Sequence, residues 1–257
     1  MNPLLDLSAH PIIAHRGASA HAPENTLPAF ELALEQGADA FELDVRLTRD
    51  GAAVVLHDAT LERTTSLSGP VRARTLAELR AADAGRWFTT DRGRTLPFRG
   101  TGVRVPTLAE VLWTFPAVPV LIEVKEPEVQ EAVRRVLVEG NATGRCVMAA
   151  EHVGALEVFR EEPFACGACG AEISALYRSV LLRRRLPPCR HRLLSVPLRH
   201  KGLTVPTRRF VAAARRLGCP VHVWTVNDAA TARRLWARGV AGIVTNVPGV
   251  IAGARRL

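Results

Sequence analysis

Residues 39–57 read DAFELDVRLTRDGAAVVLH, and the way this stretch folds decides the architecture. Residues 39–45 form an apolar run interrupted by two acids, Glu42 and Asp44, two apart in sequence. In an extended strand that spacing puts both carboxylates on one face. Asp50-Gly51 is a strong hairpin signal, and no helical pattern separates it from the strand before it or from Ala52–His57 after it. Residues 46–57 are therefore predicted to form a hairpin rising above the strand. A two-residue turn at Asp50-Gly51 pairs 47 with 54, 45 with 56 and 44 with 57, which sets His57 beside Asp44.

Outward from this stretch, short apolar runs alternate with helical patterns, the signature of an α/β protein with a parallel sheet. Eight runs are accepted as strands: 11–15, 39–45, 119–125, 145–149, 163–168, 192–196, 220–226 and 241–245. Helix patterns fall at 26–37, 107–115, 127–139, 152–161, 171–186, 207–217 and 228–238. Thr26, Thr107 and Asp228 stand at N-cap positions, with Asn227 preferred over Asp228 as the cap of the helix at 228–238, and Gly37, Gly140, Gly218 and Gly239 at helix ends. Eight strands and one excursion predict a closed TIM (β/α)8 barrel with a small insertion after the second strand, with an open doubly wound sheet as the alternative. The insertion covers about 58–105 and carries a helix at 75–82, and 1–257 is read as a single catalytic domain.

Composition narrows the function. Of 257 residues 47% are apolar and 23% charged, as in an ordinary soluble domain. No apolar run reaches the ~18 residues of a membrane span. No signal-peptide pattern opens the chain, and five cysteines at irregular spacing are expected to be free thiols in the cytoplasm. Cys166 and Cys169 with Cys189 and His191 resemble a zinc pattern, but Cys-x-His is too tight for a finger half-site. The net charge of +9 is scattered and aromatics are only 5%, so no nucleic-acid partner is expected. A basic surface would instead concentrate anionic substrates or attract anionic lipid. Only two lysines, Lys125 and Lys201, stand against 32 arginines.

Strands of such a barrel are buried on both faces, so charges near their C-terminal ends are informative. Glu123 and Lys125 repeat on one strand the spacing of Glu42 and Asp44 on its neighbour. Three converging carboxylates need positive charge among them: a hard divalent cation, Mg²⁺ or Ca²⁺, or plain ion pairs with Lys125 and Arg16. His15 and His57, at matching strand ends, suit general acid–base work. Arg16 and Lys125 suit an anion, and a compact ammonium in so Arg-rich a chain suggests a specific need. Together these groups describe a phosphate-ester site. Trp224 is either core or the wall of an alcohol pocket, and Glu24 and Asn25 either orient site groups or cap the helix at 26–37. The remaining histidines, His200, His191 and His222 among them, read as surface or packing residues.

Five stretches carry a resemblance: HRGASAHAPENTLPAF, FELDVRLTRDGAAVVLHDATLERTT, VPTLAEVL, LIEVK and VWTVN. In this order, across nearly the whole chain, they resemble the glycerophosphodiester phosphodiesterase family. The resemblance implies a TIM barrel and metal-dependent hydrolysis of a small-molecule phosphodiester to glycerol 3-phosphate and an alcohol. It implies Glu42, Asp44 and Glu123 as metal ligands and His15 and His57 as the catalytic pair. Arg16 and Lys125 would hold the phosphate, and Trp224 would line the alcohol pocket. A lysophospholipase D-type enzyme acting on lipids, or a barrel that only binds phosphate ligands, are the alternatives. Two departures border the pocket: Ala149-Ala150-Glu151-His152, where relatives carry Ser-Phe, and Asn246, where Asp is common.

Overall fold

The computed structural model describes residues 2–255. Eight parallel strands form the wall of a barrel: β1 (Ile12–His15), β2 (Ala40–Leu47), β4 (Val120–Val124), β5 (Cys146–Ala149), β6 (Ala165–Cys166), β7 (Leu194–Pro197), β10 (Val221–Trp224) and β11 (Gly242–Thr245). Each expected strand is present, within two residues at either end. β1 pairs with β2 on one side and with β11 on the other. The ring closes between β6 and β7 through a single bridge, Gly167 with Leu193, supported by hydrogen bonds from Ala168 N to Leu193 O and from Arg192 N to Cys166 O.

β3 (Ala53–Val55) turns back on the part of β2 that projects beyond the barrel, but the register is one residue off the expected one. Val45 pairs with Val55, Arg46 with Val54 and Leu47 with Ala53. The turn holds three residues, not two: Thr48 N donates to Ala52 O, and Gly51 takes a left-handed φ of 81° before the chain returns. Asp44 therefore lies opposite Leu56, whose N–H donates to the Asp44 carbonyl, and not beside His57. The insertion that follows packs its own small core of Leu61, Val71, Leu79 and Val103 against Val54 and Leu56 of the hairpin, and includes α2 (Leu76–Arg80).

Helices α1 (Leu27–Glu35), α3 (Leu108–Thr114), α4 (Gln130–Glu139), α5 (Gly170–Leu181), α6 (Arg208–Arg216) and α7 (Ala229–Trp236) fall where patterns predicted them, except that α5 stops at Leu181, short of the expected end at 186. Thr107 caps as expected, but α7 is capped by Asp228 and not by Asn227, whose side-chain oxygen accepts instead from Thr245 and the Asn246 N–H. Thr26 makes no side-chain cap and donates its hydroxyl to Pro23 O. Residues 153–159 form a 3₁₀-helix, not an α-helix, in a stretch where Gly154 lowers helix propensity. Two elements escape the pattern. One is the hairpin of β8 (Arg199–His200) and β9 (Leu203–Thr204), turned by Lys201-Gly202 with both φ angles positive. The other is α8 (Pro248–Arg255), whose Pro and Gly content hides a helix that buries Ile251, Ala252 and Ala254. No helix among the described residues is long and apolar enough to cross a membrane.

The barrel interior below the rim is filled by Leu4, Ile13, Ala40, Leu121, Val147, Leu193 and Val244. Leu4, from the segment before β1, plugs the floor, and its carbonyl accepts a 2.8 Å hydrogen bond from Nε2 of His222 on β10. The ring fits because its neighbour is glycine: a Cβ on Gly242 would stand 2.3 Å from His222 Nδ1. Burial pushes the His222 imidazole down to about 4. The unfolded chain, with a pKa near about 6.5, binds this proton more readily than the folded one, so stability falls as pH drops through that window. This group alone should cost about 3 kcal/mol between pH 7 and below pH 4, at about 1.4 kcal/mol per pKa unit. Denaturant unfolding of His222→Gln should show a correspondingly shallower loss over the same range, and an unchanged pH slope would contradict this account.

Candidate active site

The rim residues are set by strand register. His15 ends β1 and pairs with Glu42, and Asp44 pairs with Glu123, so three strands bring the acids and the first histidine to one level. Glu42 and Asp44 both point into the barrel, as their two-residue spacing requires. Beyond His15 the chain turns through Arg16 and Gly17, with φ of 58° and 83°. Gly17 is needed here, because a Cβ would overlap the Ala29 backbone of α1 at 2.6 Å. The left-handed Arg16 brings its guanidinium back over the barrel mouth.

Asp44 is the centre of the charge arrangement. Its side chain is fully buried and lies 2.8 Å from Lys125 Nζ and 3.0 Å from Arg16 Nε, and it accepts a 2.9 Å hydrogen bond from Asn25 Nδ2. Burial opposes the charge, but Lys125 and Arg16 outweigh it and hold the carboxyl below its usual range. Lys125 also meets Glu123 at 2.7 Å. Burial likewise opposes the Lys125 ammonium, and Asp44 and Glu123 more than offset that and raise its pKa.

Glu42 is the exception. It is 6% exposed, accepts one hydrogen bond, from the Arg16 backbone N–H at 3.2 Å, and its closest basic group is His15 Nε2 at 3.9 Å. Burial, together with Asp44 and Glu123, pushes its carboxyl well above the ordinary value. Carboxylate oxygens of Glu42, Asp44 and Glu123 lie within 4.8 Å of one another. This all-oxygen cluster, with one buried acid short of positive charge, fits a hard divalent cation.

The two histidines stand in different electrostatic settings. His15 Nδ1 donates to the neutral amide oxygen of Asn246 at 2.7 Å, which leaves Nε2 as the acceptor facing Glu42. Burial, and then the Arg16 charge, lower its pKa. His57 Nδ1 donates instead to a carboxylate, Asp58 Oδ1, at 2.6 Å. Hydrogen bonds from Arg63 first, and then from His57, hold Asp58 far below the usual carboxylate range. Arg63 also makes two 2.7 Å bonds to Glu24, which bonds Arg16 at 2.9 Å. The first loop is thus tied to the insertion. The His57 backbone is fixed from below by Arg46, whose Nε donates to the His57 carbonyl at 2.8 Å.

Seven of the eight residues singled out in the sequence line one cavity of about 590 Å³: His15, Arg16, Glu42, His57, Glu123, Lys125 and Trp224. Asp44 lies beneath it, without exposed surface. Trp224, 42% exposed, is wall and not core. Glu24 and Asn25 orient site groups and do not cap α1. Both sequence departures border this region, Ala149, Ala150 and Glu151 in the cavity wall and Asn246 on His15. Sequence reading missed Asp58 and Arg63, although His57-Asp58 is an adjacent pair. It also missed the far wall of Ile173, Tyr177, His200, Leu203 and Val205, which come from α5 and the β8–β9 hairpin.

The glycerophosphoryl diester phosphodiesterase family profile matches residues 15–250. The chain is 33% identical over 245 residues to the glycerophosphodiester phosphodiesterase of Caldanaerobacter subterraneus subsp. tengcongensis, covering 92% of this chain and 94% of the relative. Among solved structures, the glycerophosphodiester phosphodiesterase of Agrobacterium tumefaciens superposes with a TM-score of 0.73 at 28% identity, covering 95% of this chain and 99% of that one. The Oleispira antarctica phosphodiesterase in complex with the product sn-glycerol-3-phosphate superposes with a TM-score of 0.77 at 26% identity, covering 96% and 97%. A profile match spanning almost the whole chain, full-length similarity and a shared barrel make this protein a phosphodiesterase of the glycerophosphoryl diester phosphodiesterase family.

Proposed function

We propose that the chain hydrolyses small glycerophosphodiesters, such as glycerophosphocholine or glycerophosphoethanolamine, to glycerol 3-phosphate and the free alcohol at this rim. The observation that carries the reading is the pair of histidines flanking a carboxylate cluster that also holds Arg16 and Lys125, all on one cavity. A divalent cation, Mg²⁺ or Ca²⁺, held by Glu42, Asp44 and Glu123 would supply Lewis-acid charge to the phosphoryl oxygens. Arg16 and Lys125 bind the same anionic group and offset the charge that grows on it during reaction. Trp224 walls the alcohol side of the cavity.

The different partners of the two histidines divide the proton transfers. His15, hydrogen-bonded to a neutral amide, presents an unprotonated Nε2 and takes the proton of the attacking hydroxyl, from water or from the substrate's own glycerol. His57, whose Nδ1 is held by Asp58 at 2.6 Å, turns its Nε2 to the cavity and delivers a proton to the departing alkoxide. Arg46 and Arg63 act on His57 only by holding its backbone and its carboxylate partner.

His15→Ala and His57→Ala should each lower turnover by about 10²–10⁴-fold on glycerophosphocholine. A glycerophosphate ester of 4-nitrophenol, whose leaving group needs no proton, should restore much of the rate to His57→Ala and none to His15→Ala. The opposite pattern would exchange the two roles, and near-normal turnover of either variant on the natural ester would defeat the proposal. EDTA should silence the enzyme, and Mg²⁺ or Ca²⁺ should restore it in the unaltered protein but not in Glu42→Gln. Full activity in EDTA would remove the metal from the mechanism.

A further inference from the structure

The barrel has a second cluster of ligand-type side chains at the opposite end. Cys189 and His191 precede β7, and Cys219 precedes β10, the strand paired with β7. Their side chains therefore meet at the N-terminal ends of the strands, away from the phosphodiester cavity. The two sulfurs are 3.1 Å apart, and each donates to the His191 carbonyl, at 3.2 and 3.3 Å. A ring nitrogen of His191 lies within 4.8 Å of both sulfurs. His191 is 7% exposed, and among the described residues neither of its ring nitrogens has a hydrogen-bond partner.

A buried imidazole with both nitrogens unsatisfied is costly, and it calls for a partner that the protein itself does not provide. A disulfide between Cys189 and Cys219 would leave the ring as it is. A soft cation takes one ring nitrogen and both sulfurs together, and leaves the other nitrogen to water. Sulfurs at 3.1 Å need to open only modestly to reach the ~3.8 Å that two ~2.3 Å zinc–sulfur bonds set at a tetrahedral centre.

We propose that Cys189, His191 and Cys219 form a structural Zn²⁺ site that clamps the chain entering β7 to the chain entering β10. The fourth position is left to water on the side of Cys189, the least buried of the three. Binding replaces two S–H bonds with two zinc–sulfur bonds and releases two protons, and no oxidant or reductant takes part. Cys166 and Cys169, the pair that the sequence suggests as partners, lie outside the cluster. The ligand that completes it is Cys219, 28 residues beyond His191, and only the pairing of the two strands brings it in.

Cobalt is the probe, because thiolate-to-cobalt charge transfer in the near ultraviolet reports sulfur ligation and is silent for a carboxylate site. The reduced, chelator-stripped full-length protein should take up one equivalent of Co²⁺ with this band, and equimolar Zn²⁺ should abolish it. The band should vanish in Cys219→Ser and Cys189→Ser. In His191→Ala, cobalt affinity should fall at least about tenfold, the low end of what even an outer partner of a metal ligand contributes. Glu42→Gln, altered at the other end of the barrel, should keep the band, so the result does not depend on the hydrolytic reading. Reduced unaltered protein with titratable thiols and no band would overturn the site, whatever the variants do. So would a band that survives in Cys219→Ser, or a Cys189–Cys219 disulfide that forms in air as readily with Zn²⁺ as without it.

Discussion

The rest of the site is organised around the complete burial of Asp44. A lone carboxylate in a protein interior is strongly disfavoured, and it persists as an anion only with charge and hydrogen bonds close around it. Here Lys125 arrives from the end of β4, Arg16 from the turn after β1, and Asn25 from the loop before α1. Removing Asp44 would leave Arg16 with Glu24 and Lys125 with Glu123 as their ion-pair partners, and nothing between the two cations. The same contacts fix where two cations stand relative to the cavity. Asp44 never touches the cavity surface, yet it determines the positions of Arg16 and Lys125.

Glu42, two residues earlier on the same face, is left without such a cationic partner. The difference follows from register: Asp44 pairs with Glu123, next to Lys125, whereas Glu42 pairs with His15 and Leu121. The ion-pair reading of the acids thus describes part of the site. Ion pairs satisfy Asp44 and engage Glu123, and the remaining need for positive charge is concentrated on Glu42.

Much of this was legible in the sequence because barrel strands are almost wholly apolar, so a charge within one stands out. The eight strands and the residues at their ends emerged from that contrast alone. The hairpin register did not, because Asp50-Gly51 fits a two-residue and a three-residue turn equally well, and the choice rests on the Thr48 hydroxyl, which donates to Asp50 and accepts from the Ala52 N–H. The far cavity wall was hidden for a different reason. Lys201-Gly202 is a weak turn signal, and the five wall residues come from elements with no charge pattern to mark them. Asp58 and Arg63 act through a network spanning the first loop and the insertion, and local spacing does not reveal contacts 39 residues apart.

The seam between β6 and β7 divides the molecule in a way that bears on its history. The groups proposed to act on the phosphate, His15, Arg16, Glu42, His57, Glu123 and Lys125, all come from residues 15–125, whereas most of the opposite wall, from Ile173 to Trp224, comes from the later part of the chain and packs with a separate apolar core. On the proposed mechanism, bond-breaking and recognition of the leaving group are encoded in different lengths of polypeptide that meet at one rim. Drift in the later length would then retailor which alcohol is accepted while the earlier length stays under unchanged constraint, so that one chemistry passes among many substrates.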